Sequence, residues 1–446
     1  MPSHPTPATD PLPTPAQRQA YWMPFTGNRQ FRQDPRILVQ AEGCHYRDAQ
    51  GRQIFDGLSG LWTTGLGHAQ PDIIQAVARQ AATLDYAPAF QFGHPLAFEL
   101  AETLVHWMPD GLNHIFFVDS GSEAVDTALK MARAYWRLRG QGQKTRFIGR
   151  AKGYHGVNFG GISVGGIPGN RKLYGDGITA AHLPHTQLPE NAFSRGLPPH
   201  GLDRADALLD LLAIHDASTI AAVIVEPFSG SAGVIVPPAG YLQRLREICD
   251  AHDILLIFDE VISAFGRVGH ATAAAAFGVT PDLLTFAKQV TNGVFPLGGV
   301  AATTAIHQTF LDAGGPPHGV EFPHGHTYSA HPIGCAAALA TLQALHDHDA
   351  LARVRALTPH FEAAVHHLRH APHVTDIRNI GLAAGLTLAP KNGDPTLRPF
   401  EVAMRCWDQG LYIRYGADTL QLAPPFLTTP HQIDHLIDTL DHALRA

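Results

Sequence analysis

Between Ile220 and Ala287 the chain alternates unbroken apolar runs with a stretch of helical spacing, and few folds accept that pattern. "IAAVIVEPF" and "ILLIFDEV" are rich in β-branched residues and of strand length, and "DLLTFA" follows shortly after. Between the first two, "GYLQRLREICDAHD" sets Leu242, Leu245, Ile248 and Cys249 at helical spacing. A strand that is apolar on both faces must be covered on both, the condition of a parallel sheet flanked by helices. The same order recurs in "HIFFVDSGSEAVDTALKMARAYWRLRG", where a strand over Ile115–Val118 runs through small residues into an amphipathic helix. The fold class expected is therefore α/β, with a large domain built on a mainly parallel sheet.

At 446 residues the chain is too long for one simple core. From about residue 331 Ala/Leu-rich helices lead to short strands with Gly turns, in "VTDIRNIGLAAGLTLA" and "GLYIRYGADTLQLAPPF". The expected organisation is a disordered Pro-rich extension over 1–16 and a large α/β domain over 65–330. A smaller α+β domain then combines both chain ends, 17–64 and 331–446. A net charge of −7 and the lack of a Lys/Arg block argue against a nucleic-acid partner or an anionic membrane surface. No apolar run approaches the roughly 18–20 residues of a membrane span, and no signal-peptide core is present. Cys44, Cys249, Cys335 and Cys406 lie far apart without a CxxC, which fits reduced thiols in a cytoplasm and neither a disulfide framework nor a zinc site.

Open α/β sheets bind ligands beyond the carboxyl ends of their strands, so strand-end residues are the first candidates. "DSGSEA" places Gly121 and Ser122 in the first turn of a helix, where free N–H groups and the dipole favour a phosphate; an ordinary N-cap reads the same way. Tyr154 and His155, in "ARAKGYHGVNFGG", offer a ring to stack on a planar cofactor, or belong to a plain surface loop. Asp259 ends "ILLIFD" and Glu226 ends "IAAVIVE", and a buried carboxylate needs a cationic partner, a metal or a protonated ligand. The metal reading lacks a patterned ligand set, and His324, His326 and His331 read as a loop of satisfied histidines. Lys288 follows "DLLTFA", where apolar surroundings favour the neutral, nucleophilic amine over the surface lysine usual at a strand end. A phosphate cradle, a ring stacker, a partner for a pyridinium nitrogen and an imine lysine are together what a pyridoxal phosphate enzyme needs.

These residues lie in "IVEPFSGSAGVIVPPAGYLQRLREICDAHDILLIFDEVISAFGRVG…FGVTPDLLTFAKQVTNGVFPLGGV", which resembles the class III, fold-type I aminotransferases. The similarity runs over nearly the whole chain beyond the extension and is nearest to the ω-amino acid:pyruvate branch. "LSGLWTTGLGH", "HGHTYSAHP" and "GLYIRYGADTLQLAPPF" support it. The resemblance implies that Lys288 carries pyridoxal phosphate as a Schiff base and moves the proton, and that Asp259 holds the ring nitrogen. It further implies Tyr154 and Val261 on the two ring faces, Gly121 and Ser122 at the phosphate, and Glu226 beside Asp259. Thr327 resembles the residue that reaches the phosphate from a partner subunit, which implies a homodimer or homotetramer. Trp62, Arg414 and Gln421 match the substrate side, with Arg414 gripping a carboxylate.

One departure bears on specificity. Relatives acting on ornithine or γ-aminobutyrate carry "EPxxGE", whose Glu pairs with the carboxylate-binding Arg; here "EPFSGSAG" puts Ser231 in that place. That fits pyruvate as acceptor with a short ω-amino acid or amine as donor, other class III donors (γ-aminobutyrate, taurine-like acids, polyamines) being the alternative. A nicotinamide oxidoreductase is the rival from another class, but "GISVGGIPG" is not GxGxxG and lacks the acid expected downstream.

Overall fold

A computed structural model describes residues 12–175 and 177–446. Its central sheet has seven strands in the spatial order His114–Val118, Gly298–Ala302, Leu283–Phe286, Leu255–Asp259, Ile220–Val225, Arg146–Arg150 and Ala180–Leu183. The last five in that row are mutually parallel, while Gly298–Ala302 runs antiparallel to both its neighbours. Every residue of Ile220–Val225, Leu255–Asp259 and Leu283–Phe286 is buried, as their continuous apolar character requires. Alternate side chains supply opposite faces. Ala222, Ile224, Leu255 and Ile257 pack with the helix Gly121–Leu138, whereas Val223, Val225, Leu256 and Phe258 pack with the helix Tyr241–Ala251. Each fully buried Leu, Ile or Phe contributes about 1.5–3 kcal/mol relative to exposure, so these strands have one tolerable register.

Both chain ends build the smaller part. Leu38–Glu42, His45–Asp48 and Gln53–Asp56 form an antiparallel meander, and Leu411–Tyr412 adds to Gln53–Asp56 in parallel. Val374–Ile380, Ala383–Leu388, Thr419–Leu422 and Arg414–Gly416 form a second, antiparallel four-stranded sheet. The helix Pro332–Asp347, just past residue 331, lies against the helices Pro71–Thr83 and Pro95–Val105.

Of the stretch read as a disordered extension, residues 1–11 lie outside the described part of the chain. Its end is ordered: a helix Pro15–Ala20 starts there, with Thr14 and Gln17 forming a capping box and Pro15 in the first turn. Among the described residues no helix is long and apolar enough to cross a membrane.

Candidate active site

The two carboxylates that end the Leu255–Asp259 strand and follow it part company. Glu260 is fully buried and accepts from the N–H groups of Ala273 (2.6 Å) and Ala274 (2.7 Å) and from Ser263 Oγ (3.0 Å), capping the short helix Ala273–Phe277. Asp259 faces the other way. Its Oδ2 meets His155 Nδ1 at 2.8 Å, and its Oδ1 accepts from Thr285 Oγ1 and Val261 N, both at 3.2 Å. An ionised Asp259 only accepts, so Nδ1 of His155 carries the proton and the ring is oriented by the carboxylate. His155 is therefore no ring stacker; it backs Asp259, and Tyr154 alone of that pair remains a candidate for stacking.

Glu226, at the end of the neighbouring strand, joins the same site. Its Oε1 accepts from Tyr154 N at 2.9 Å and its Oε2 from Gly230 N at 3.1 Å. Burial pushes its carboxyl up to about 7, opposed by His155 and reinforced by the Asp259 charge. Tyr154, half-buried in the loop after Arg146–Arg150, is thus held by its backbone to Glu226.

The helix Gly121–Leu138 brings its N-terminus to this sheet edge. Ser120 caps it by accepting from Glu123 N, leaving Gly121 and Ser122 in the first turn. A Cβ on Gly121 would come within 2.8 Å of Val261 Cγ1, so glycine is what lets the helix end approach Val261. Ser122 Oγ accepts from Val157 N at 3.1 Å, joining this end to the Tyr154 loop.

Lys288 opens the tight turn Lys288–Thr291 with φ +54°, a left-handed backbone uncommon outside glycine. Burial lowers its amine to about 8, the Asp259 and Glu226 charges working against the fall and Arg414 with it. Asp259, Glu226, Tyr154, Arg414 and Lys288 therefore share one electrostatic environment. Arg414 and Gln421 are directly paired across adjacent strands. Gln421 Nε2 donates to Ser231 O at 2.9 Å, so Ser231 lies beside this pair, while Gln421 Oε1 is buried without a partner among the described residues. Trp62 is only 2% exposed, and its segment is tied to the Lys288 turn. Gln289 Oε1 accepts from Gly65 N (2.6 Å), Asn292 Oδ1 accepts from Leu66 N (3.0 Å), and Asn292 Nδ2 donates to Gly67 O (2.8 Å). Thr327 stands apart: it is exposed, and its carbonyl accepts from Tyr86 Oη at 3.1 Å.

Thr285, Gln289 and Asn292 are supporting residues that sequence reading does not single out, and His155, a candidate for its ring, serves through its nitrogen instead. Thr285 had a signal, since it sits in register with Asp259 on the adjacent strand. The histidines of the Thr327 loop have separate partners. His324 bonds Thr127 Oγ1 (2.8 Å) and Lys130 Nζ (2.9 Å), and His331 Nδ1 accepts from Ile333 N. His326 lies with Asp119 and Glu123, their ligand atoms within 4.8 Å, but Glu123 already accepts from Asp119 N at the helix start.

Pyridoxal phosphate fits this donor set. A protonated ring nitrogen supplies the cation that buried Asp259 requires, and the open helix N-terminus at Gly121 suits a phosphate. A lysine amine lowered to about 8 is ready to condense with an aldehyde. On that fold and that chemistry the chain is a pyridoxal-phosphate-dependent enzyme. More narrowly, it belongs to the class-III aminotransferases, whose family model matches residues 26–444. A beta-alanine–pyruvate aminotransferase of Pseudomonas aeruginosa is 57% identical over 96% of this chain and 95% of its own length. An omega-amino acid–pyruvate aminotransferase of Pseudomonas putida is 54% identical over 100% of this chain and 99% of its own. Among solved structures, an (S)-enantioselective omega-transaminase from Thermomicrobium roseum superposes with a TM-score of 0.89 at 31% identity, covering 96% of this chain and 97% of that one. A pyridoxal-phosphate-bound amine transaminase from an uncultivated Pseudomonas species gives 0.86 at 32% identity, over 95% of this chain and 98% of that one.

Proposed function

We propose that this aminotransferase moves the amino group of a β-alanine-like ω-amino acid, or of an amine, to pyruvate, giving a semialdehyde, aldehyde or ketone and alanine. The observation that carries the reading is the pairing of Arg414 with Gln421 beside Ser231, a position that offers Arg414 no carboxylate. Arg414 is then free to take the carboxylate of an ω-amino donor in one half-reaction and of pyruvate in the other. The chemistry supplied by bound pyridoxal phosphate is electron withdrawal from the carbon that loses its proton.

The chain's own groups do the rest. Lys288 Nζ would hold the cofactor and, as a free amine, would carry the proton from the amine-bearing carbon to the cofactor carbon with the donor and in the reverse direction with pyruvate. Asp259, oriented by His155 and Thr285, keeps the ring nitrogen protonated. Tyr154 and Val261 would cover the ring faces, Gly121 and Ser122 would bind the phosphate, Trp62 would wall the donor side, and Glu226 supports Tyr154 by accepting from its backbone N–H. A panel of donors offered with pyruvate, read as alanine formed, tests the assignment. β-Alanine should lead or come near the lead, and a panel on which only polyamines react would replace the reading.

The working unit is a homodimer or a homotetramer, in the cytoplasm. Support comes from Thr327, exposed on a loop beside exposed Tyr86, Phe90 and Tyr328, apolar surface of the kind a subunit interface covers. Four free, buried cysteines suit a reducing compartment. Thr327→Ala should loosen cofactor retention about tenfold, the value of a hydrogen bond to a charged group. Retention equal to the parent's would remove Thr327 from the phosphate site.

A further inference from the structure

We propose that Arg267, eight residues past Asp259, is a positioning residue for the donor pocket: it fixes the turn carrying Trp62 against the C-terminal segments and so sets which donors fit. This rests on the reading of Trp62 as a donor-side residue. The turn is unusual in its backbone. Ser59 (φ +49°), Gly60 (φ +64°) and Trp62 (φ +66°) all adopt left-handed conformations, and for a tryptophan that is a genuine outlier. Such a conformation persists only where its surroundings over-determine it.

The surroundings do so from two sides. Asp56, fully buried, accepts from Leu58 N and Gly60 N and meets His68 Nε2 at 2.8 Å, which fixes the start of the turn. On the other side Arg267, 2% exposed, donates through Nη2 to Ser59 Oγ at 3.0 Å. Its Nη1 donates to Leu382 O (3.0 Å) and Pro424 O (2.9 Å). Ser59 Oγ in turn donates to Ala423 O at 2.7 Å. The guanidinium also lies 5.7 Å from the Trp62 ring centroid and 4.7 Å from that of Phe426.

One planar fork thus ties together three distant parts of the chain, at residues 59, 382 and 424. Every acceptor it uses is neutral, so the group is not there to satisfy a carboxylate. Burial lowers its proton affinity to about 9, with Asp56 opposing, and it stays charged at neutral pH. A lysine has three donors on one point and cannot reproduce the spread of the fork.

The test compares cofactor-loaded Arg267→Lys, Ser59→Ala and Trp62→Ala with the parent, each checked for full cofactor absorbance. The readout is the ratio of kcat/KM for a bulky aryl-alkyl amine to that for β-alanine. Ser59→Ala removes one hydrogen bond to the fork and should raise the ratio about fivefold, mainly through KM. Arg267→Lys should raise it further, and neither change should add to that of Trp62→Ala in a double mutant. If Arg267→Lys does not fold, Ser59→Ala decides alone. A ratio moved by Trp62→Ala but not by Ser59→Ala or Arg267→Lys would overturn the role of Arg267 and leave Trp62 in place. A ratio that Trp62→Ala does not move would remove Trp62 from the donor pocket, and the proposal with it.

Discussion

Replacing Arg414 by alanine separates a carboxylate-binding role from a structural one. Arg414 is half-buried on the short strand Arg414–Gly416, and its cross-strand partner Gln421 spends its amide on Ser231 O. No acid therefore comes with Ser231 to hold the guanidinium in place. The loss should be confined to what Arg414 does for substrate. A charge-assisted hydrogen bond in a partly desolvated pocket contributes about 1.5–3 kcal/mol, so kcat/KM for β-alanine and for pyruvate should fall roughly 10- to 100-fold. An aryl-alkyl amine without a carboxylate should lose about threefold or less in its own half-reaction, where that contact is absent. The assay is single-turnover loss of the visible cofactor absorbance after mixing with each donor. Arg414→Lys, which keeps the charge but not the fork, should fall between alanine and the parent. Equal losses for acid and amine donors would mean that Arg414 acts through the fold, and the carboxylate site would lie elsewhere.

Three further outcomes follow from the same geometry. Asp259→Asn keeps the shape of the strand end but removes the charge, so turnover should drop about 100-fold or more, roughly 2.7 kcal/mol of barrier; a rate within about twofold of the parent would contradict its role. Because burial lowers the Lys288 amine to about 8, the rate at which apoenzyme captures pyridoxal phosphate should rise with pH through a midpoint near that value, as followed by absorbance. A midpoint at the ordinary lysine value would show that Lys288 is not desolvated. Glu226 is raised to about 7 in the fold, so its proton stabilises the apoprotein fully below the ordinary carboxylate range, and that stability is lost as pH rises through about 7. Glu226→Gln should flatten the fall in Tm between those limits, and parallel curves for variant and parent would refute this.

The sheet was legible in the sequence because its information is local. Ile220–Val225 and Leu255–Asp259 are apolar on both faces, and that alone places Glu226 and Asp259 at one sheet edge. Lys288 follows by the same logic, two residues past Leu283–Phe286. Arg414, Gln421 and Ser231 could not be placed that way, since they meet through the pairing of Arg414–Gly416 with Thr419–Leu422 and a side-chain contact 190 residues apart in sequence. For them only the family resemblance gave a role. Gln289, Asn292 and Arg267 were invisible for a related reason: their work is to bind backbone groups more than 100 residues away, and composition or periodicity holds no trace of that. His155 was singled out for its aromatic ring, yet the structure uses its nitrogen.

The most direct measurement follows the nitrogen itself. Cofactor-loaded enzyme given 15N-labelled β-alanine and unlabelled pyruvate should yield alanine carrying the label, one equivalent for each β-alanine consumed, while Lys288→Ala yields none at a comparable rate. Label released as ammonia, or β-alanine left unconsumed while pyruvate is present, would contradict transfer from an ω-amino donor to pyruvate through Lys288.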